Sequence, residues 1–201
     1  IRLRVPEPFD DAVEALEDYF SSRIGYLGPL REHPRTVYDL PASGDPRDVG
    51  LKGEYTAAVY DANKQIDVLY WHMEDEKVKT ASLREAVLHW LGYFNMAEGV
   101  ATTEIGQQGY TLTITDPSVS KSLDLTNVGV GVSQVLPIIV KGLLTDSEST
   151  VIYEQPEIHL HPATQAKIAD FFIGLTRSGV QCIIETHSEY FINRIRLRIA
   201  E

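Results

Sequence analysis

Between Thr150 and Glu185 the chain runs strand, helix, strand, and this order restricts the fold more than any other feature. Val151, Ile152 and Tyr153 form a short apolar, largely β-branched run of the kind that fills a buried strand, and Pro156 ends it. An amphipathic helix is predicted from about Ala163 to Thr176, and a second apolar strand over Gln181–Glu185. A β-α-β order implies parallel neighbouring strands joined by a right-handed crossover. Open α/β sheets bind ligands outside the C-terminal ends of their strands. Two groups able to act on a ligand, Glu154 and Gln155, follow the first strand directly, and Thr186-His187-Ser188 follows the second. The predicted fold class is therefore α/β with a parallel-sheet core.

The preceding chain reads differently. Phe9, Val13, Leu16 and Phe20 recur at helical spacing among acidic residues, which predicts an amphipathic helix over Pro8–Phe20. Ile24–Leu27 reads as a strand running into Gly28-Pro29-Leu30-Arg31, residues 33–50 as a loop, and Gly53–Tyr60 as a short helix. Asn63–Lys79 shows no usable period. Ser82-Leu83-Arg84-Glu85 is a capping box that opens a helix to about Phe94. Val100–Ile105 and Tyr110–Thr115 flank a glycine-bounded turn and predict a β-hairpin. From Asn127 a glycine segment leads into an apolar helix, Val135–Leu144. The division this suggests is an α+β insertion over 1–126 and an α/β lobe over 127–201.

Composition excludes several classes. The chain has 201 residues, 43% hydrophobic and 23% charged, enough for one good core. A single cysteine, Cys182, rules out an intrachain disulfide and suits a reducing cytoplasm. The longest apolar run, Val135–Leu144, is interrupted by Lys141 and is too short to span a bilayer. No secretory signal opens the chain, and Ile1 is not a natural start, so a fragment is expected. A net charge of −11 argues against a surface built to grip phosphate backbones. Arg194, Arg196 and Arg198 read as a solvated helix end, so charge does not indicate nucleic acid.

Glu154 at a strand end suits Mg²⁺, a hard cation that prefers carboxylate and water oxygens, although a carboxylate there can also cap backbone amides. An amide cannot accept a proton from water, so Gln155 cannot be a general base but can orient an attacking water. Glu157 could take that role if the loop turns it inward. Gly129, Gly131, Ser133 and Gln134 stand before an apolar helix, where backbone amides and a hydroxyl can meet an anion; the same segment could simply cap that helix. His187, just beyond a strand, can hydrogen-bond a phosphate oxygen, or serve as a turn residue beside the capping Ser188. A zinc site from His159, His161 and His187 is the weaker reading, since its spacing matches no usual ligand pattern. No GxxxxGK[ST] phosphate loop is present, and the nearest stretch, Gly44–Lys52, has the wrong spacing.

Taken together, the glycine-to-Gln134 segment, EQPEIHLHP and ETHS resemble the signature loop, Walker B and switch-histidine motifs of the C-terminal half of an SMC-like, ABC-class ATPase head. Gln134 precedes Glu154 by twenty positions, and His187 follows it by thirty-three. YLGPLRE, VGLKGE and GVSQVLP narrow the resemblance to a bacterial family named AAA although ABC-like, in which Glu-Gln is the native pair. The resemblance implies ATP and Mg²⁺ as cofactors and a P-loop half missing from these residues. It also implies a head-to-head homodimer with ATP at the interface, with His161 in the D-loop position. Members stand beside nucleases or other effectors in defence clusters. Two activities stay open: an ATPase that drives an effector, and a hydrolysis-poor, nucleotide-gated scaffold that switches one.

Overall fold

The computed structural model describes residues 7–41, 45–117 and 121–201. In chain order the elements are α1 (Glu7–Ser22), β1 (Ile24–Leu27), α2 (Thr56–Asn63), β2 (Asp67–His72), β3 (Lys77–Ser82) and α3 (Leu83–Tyr93). They continue with β4 (Gly99–Glu104), β5 (Tyr110–Asp116), β6 (Lys121–Asp124), α4 (Val130–Leu144), β7 (Thr150–Glu154), α5 (Pro162–Arg177), β8 (Gln181–Glu185) and α6 (Glu189–Ala200).

The expected parallel sheet is present. Its order is β1-β7-β8, with Ile24 paired to Thr150 and Glu154 to Glu185, so all three strands end at one edge. β7 is the central strand and its Val151 and Tyr153 are buried, as an inner parallel strand requires. Tyr153 packs its ring 4.9 Å from Phe172 of α5 and donates its hydroxyl to the Ile138 carbonyl of α4 at 3.5 Å. Burying an aromatic side chain of this kind stabilises by about 1.5–3 kcal/mol. Gly142 lets α4 approach this strand, because a Cβ there would lie 2.6 Å from Leu175 and 3.1 Å from the Tyr153 hydroxyl. At the sheet's other edge β8 alternates, and its Ile183 is 51% exposed.

Two antiparallel units stand apart from this sheet, the pair β2-β3 and the three strands β4-β5-β6. The capping box forms as expected: Ser82 accepts from the Glu85 amide, and Glu85 reaches back to the Ser82 amide. α3 then buries Trp90, whose ring stands edge-on to Phe171 of α5 at 5.1 Å and ties the middle of the chain to the parallel lobe.

Two expectations are corrected, and one unassigned stretch is filled. The short helix starts at Thr56 rather than Gly53, since Gly50 and Gly53 adopt left-handed backbone in the turns before it. Asn63–Lys79, unassigned from sequence, supplies β2 and the start of β3. The apolar helix begins at Val130 instead of Val135, with Gly129 as its cap residue. Glycine costs a helix about 1 kcal/mol, but burial of Val132, Val135 and Leu136 outweighs one glycine in the first turn. Of the nearest approach to a phosphate loop, Gly44 lies outside the described residues. No described helix is long and apolar enough to cross a membrane.

Candidate functional site

The site follows from strand direction. Because β1 and β7 run parallel, the residues just after each strand meet at one edge, and Arg31 sits four positions beyond Leu27. It is 4% exposed and donates to three successive carbonyls of the loop after β7: Glu154 at 3.3 Å, Gln155 at 3.1 Å and Pro156 at 3.3 Å. Burial lowers the Arg31 pKa to about 10, with the negative charge of Glu157 acting the other way, so the guanidinium stays charged at neutral pH. Gln155 takes a left-handed conformation (φ 44°), uncommon outside glycine and asparagine, and the Arg31 clamp holds the loop in that turn.

Glu157 is turned inward. It is 5% exposed, and its Oε1 accepts the His187 backbone amide at 2.7 Å, while its Oε2 is buried without a hydrogen-bond partner. The loop after β7 is thereby fastened to the loop after β8. Across the top of the two strands, the Gln155 backbone amide donates to the Glu185 carbonyl at 2.8 Å. The Gln155 side-chain Nε2 donates to Glu185 Oε1 at 3.1 Å, and His187 Nε2 lies 3.3 Å from the same oxygen. Glu154 pairs with Glu185 in the β7-β8 register, so the two carboxylates share one face of the sheet. Burial first, then a hydrogen bond to Glu154 and the charges of both carboxylates, raise the Tyr26 hydroxyl pKa.

The sequence-derived residues therefore fall into two groups. Glu154, Gln155 and His187 come together at the strand ends, with Glu185 between the last two. Gly129, Gly131, Ser133 and Gln134 belong to the start of α4 rather than to a loop. Gly129 is exposed, whereas Ser133 and Gln134 are buried. Ser133 donates to the Val130 carbonyl at 2.7 Å, and Gln134 donates to the Glu32 carbonyl at 3.4 Å. His161 caps α5, accepting the Ala163 amide through Nδ1 at 3.3 Å. Beside His187, Thr186, Ser188, Asn193 and Arg196 line an open depression of about 480 Å³. The other two arginines of the terminal cluster are structural. Arg194 and Arg198 both bind Asp170, which is 2% exposed, at 2.9 Å and 2.7 Å.

Oxygen donors at an open strand end suit a hard cation, so Glu154 fits Mg²⁺. Sequence reasoning missed Arg31 and Glu185. Nothing in YLGPLRE indicates that its arginine reaches a loop 124 residues away, and Glu185 was read only as the end of a strand. It also missed a group far from this edge. His72, Glu74 and His89 place ligand atoms within 4.8 Å of one another, and the two imidazoles stack at 4.4 Å. There the Met73 amide donates to His89 Nε2 at 3.3 Å, which keeps the neutral ring's proton on Nδ1, facing Glu74. A metal-bound imidazole instead donates from its second nitrogen, whereas His89 Nε2 accepts, so this cluster is not arranged to ligate a metal.

A parallel sheet flanked by helices, with its polar groups converging beyond the strand ends, defines an α/β lobe. Residues 50–192 match the family model described as an AAA ATPase domain, and the chain belongs to that family. Among solved structures it is similar to the Smc head domain from Pyrococcus furiosus, crystallised with an extended coiled coil and bound to the C-terminal domain of ScpA. The identity is 10% and the TM-score 0.42, over 56% of this chain and 29% of that one, so the chain spans under a third of that structure's length. No curated protein matches the chain.

Proposed function

We propose that this chain is the C-terminal lobe of an SMC-like, ABC-class ATPase head, which binds Mg²⁺-ATP at the C-terminal edge of its parallel sheet. The observation that carries the reading is the convergence of Glu154, Gln155 and His187 at that edge in a chain of the AAA ATPase domain family. Glu154 would hold Mg²⁺ through a water, and the bound ion would supply charge stabilisation to phosphate oxygens. Gln155 orients a water through its amide, and His187 donates to a γ-phosphate oxygen. The P-loop belongs to a segment outside these residues. The half-exposed β8, on a type of sheet normally covered on both faces, supports such a complement.

The start of α4 meets the γ-phosphate held by a second subunit, with ATP between the two copies. The exposed Gly129 can make that approach directly, whereas Ser133 and Gln134 must first give up their present hydrogen bonds. His161 stands near the same dimer face. In this scheme 127–201 is the catalytic lobe and 1–126 an insertion that also lends β1 to the sheet. The protein works in the cytoplasm and controls a nuclease or another effector in defence.

A second reading rests on Gln155, whose amide cannot act as a base. The protein would then close on ATP, barely hydrolyse it, and act as a switch for its partner. Single-turnover hydrolysis by the intact protein, alongside Glu154→Gln and Gln155→Glu, separates the two. Turnover abolished by Glu154→Gln means a working ATPase. Turnover that appears only in Gln155→Glu means a nucleotide clamp. Failure of the intact protein to bind Mg²⁺-ATP at all would sink both.

A further inference from the structure

We infer that Glu185 is the general base this site lacks at position 155. The inference rests on the ATPase reading above and names a residue for its chemical step. A carboxylate is needed where water attacks, and Gln155 has none. The Gln155 side chain contacts the carboxylate of Glu185, whose Oε1 receives the Gln155 amide at 3.1 Å and lies 3.3 Å from His187 Nε2. Its second oxygen, Oε2, has no hydrogen-bond partner among the described residues, and the side chain is 51% exposed, so water reaches it.

Other carboxylates nearby are committed elsewhere. Glu157 is buried and accepts the His187 amide, and Glu154 is the Mg²⁺ residue. Glu185 is held by the same two side chains that address the water and the γ-phosphate. The Glu154–Glu185 register pair keeps it on the face where nucleotide would lie. Gln155 then acts as the strut that aims Glu185.

The step balances simply. The water oxygen forms a bond to the γ-phosphorus, and the bond from that phosphorus to the β,γ-bridging oxygen breaks. Its electron pair leaves with ADP. The water proton passes to Glu185 Oε2 and from there to the released phosphate.

The test uses the intact protein and four forms: wild type, Glu185→Gln, Gln155→Glu, and the exchange Gln155→Glu/Glu185→Gln, which moves the carboxylate across the 3.1 Å contact. Single-turnover hydrolysis is read beside binding of a fluorescent ATP analogue with Mg²⁺. Glu185→Gln should slow hydrolysis by about 100-fold or more, the usual worth of a general base, with binding unchanged within about threefold. The exchange should recover most of that rate.

Hydrolysis by Glu185→Gln within about threefold of wild type would overturn the assignment, since a base contributes far more. An exchange variant that binds nucleotide but stays inactive would overturn it too. Wild type that binds ATP without turning it over removes the base and leaves the switch. Wild type that binds no ATP refutes the underlying reading of the site.

Discussion

Replacing Arg31 tests whether the site is held by one buried side chain. Arg31→Met keeps most of the aliphatic volume and removes the guanidinium. Three carbonyls, of Glu154, Gln155 and Pro156, then lose a charged donor, each such bond contributing about 1.5–3 kcal/mol on its own and less when summed. Glu157, 5% exposed, is left buried without the positive charge beside it. Loss of these bonds and of the favourable field at Glu157, offset by relief of the Arg31 desolvation, is expected to cost about 3–5 kcal/mol in total. For a chain of this size the loss corresponds to a fall in Tm of roughly 6–20 °C. Urea unfolding of wild type, Arg31→Met, Glu157→Gln and the double variant measures it. The double variant should be less destabilised than the sum of the singles by at least about 1 kcal/mol, because it leaves no orphaned charge. A single Arg31→Met loss below about 1 kcal/mol, with an unchanged urea slope, would refute the clamp.

Three further outcomes follow from the same structure. Burial pushes the Cys182 thiol up to about 12, so its thiolate is far scarcer than in a free cysteine. Iodoacetamide at mildly alkaline pH should label Cys182 in urea but scarcely in the native protein, and equal rates would contradict its burial. His89 is held below its usual 6.5 by burial first and by His72 and Lys79 next, against the pull of Glu74 and Asp75. The folded state thus binds fewer protons there. Stability is complete above 6.5 and is lost as pH falls from that value through the folded pKa, and His89→Gln should flatten this slope in pH-dependent urea melts. Gly142→Ala would place a methyl 2.6 Å from Leu175 Cδ1 and 2.9 Å from Phe171 Cζ. Overpacking of this kind costs about 1–3 kcal/mol by thermal unfolding, and a neutral result would mean that α4 moves freely over β7.

What the sequence revealed was local. The apolar run before Glu154, the turn at Pro156 and the second run ending at Glu185 are enough to place β7, α5 and β8 within a residue or two. Ser82 and Glu85 announce α3, because a capping box is a contact between residues three apart. β2 was hidden because Leu69, which is 50% exposed, fills a solvent position and breaks the alternation that Val68 and Tyr70 would otherwise show. The start of α4 was misread because glycine propensity points to a loop, while tertiary burial decides the matter. Glu154, Gln155 and His187 were visible as motif residues. Their meeting at Glu185 depends on strand register, and Arg31 depends on β1 lying beside β7. Neither is a property of any short window.

The position of β1 also governs the order of assembly. β7 and β8 are separated by one helix and can pair soon after both exist, whereas Ile24 must wait for Thr150. Closing so long a loop is entropically costly until the intervening chain has collapsed, and contacts of that separation form late. The Arg31 clamp on the Glu154–Pro156 loop arrives with β1, so the loop bearing Gln155 is fixed only when everything between them has folded. A nascent or damaged chain with a misfolded middle would carry every motif residue and still lack a formed site. Folding of the middle segment thus acts as a checkpoint on assembly of the sheet edge.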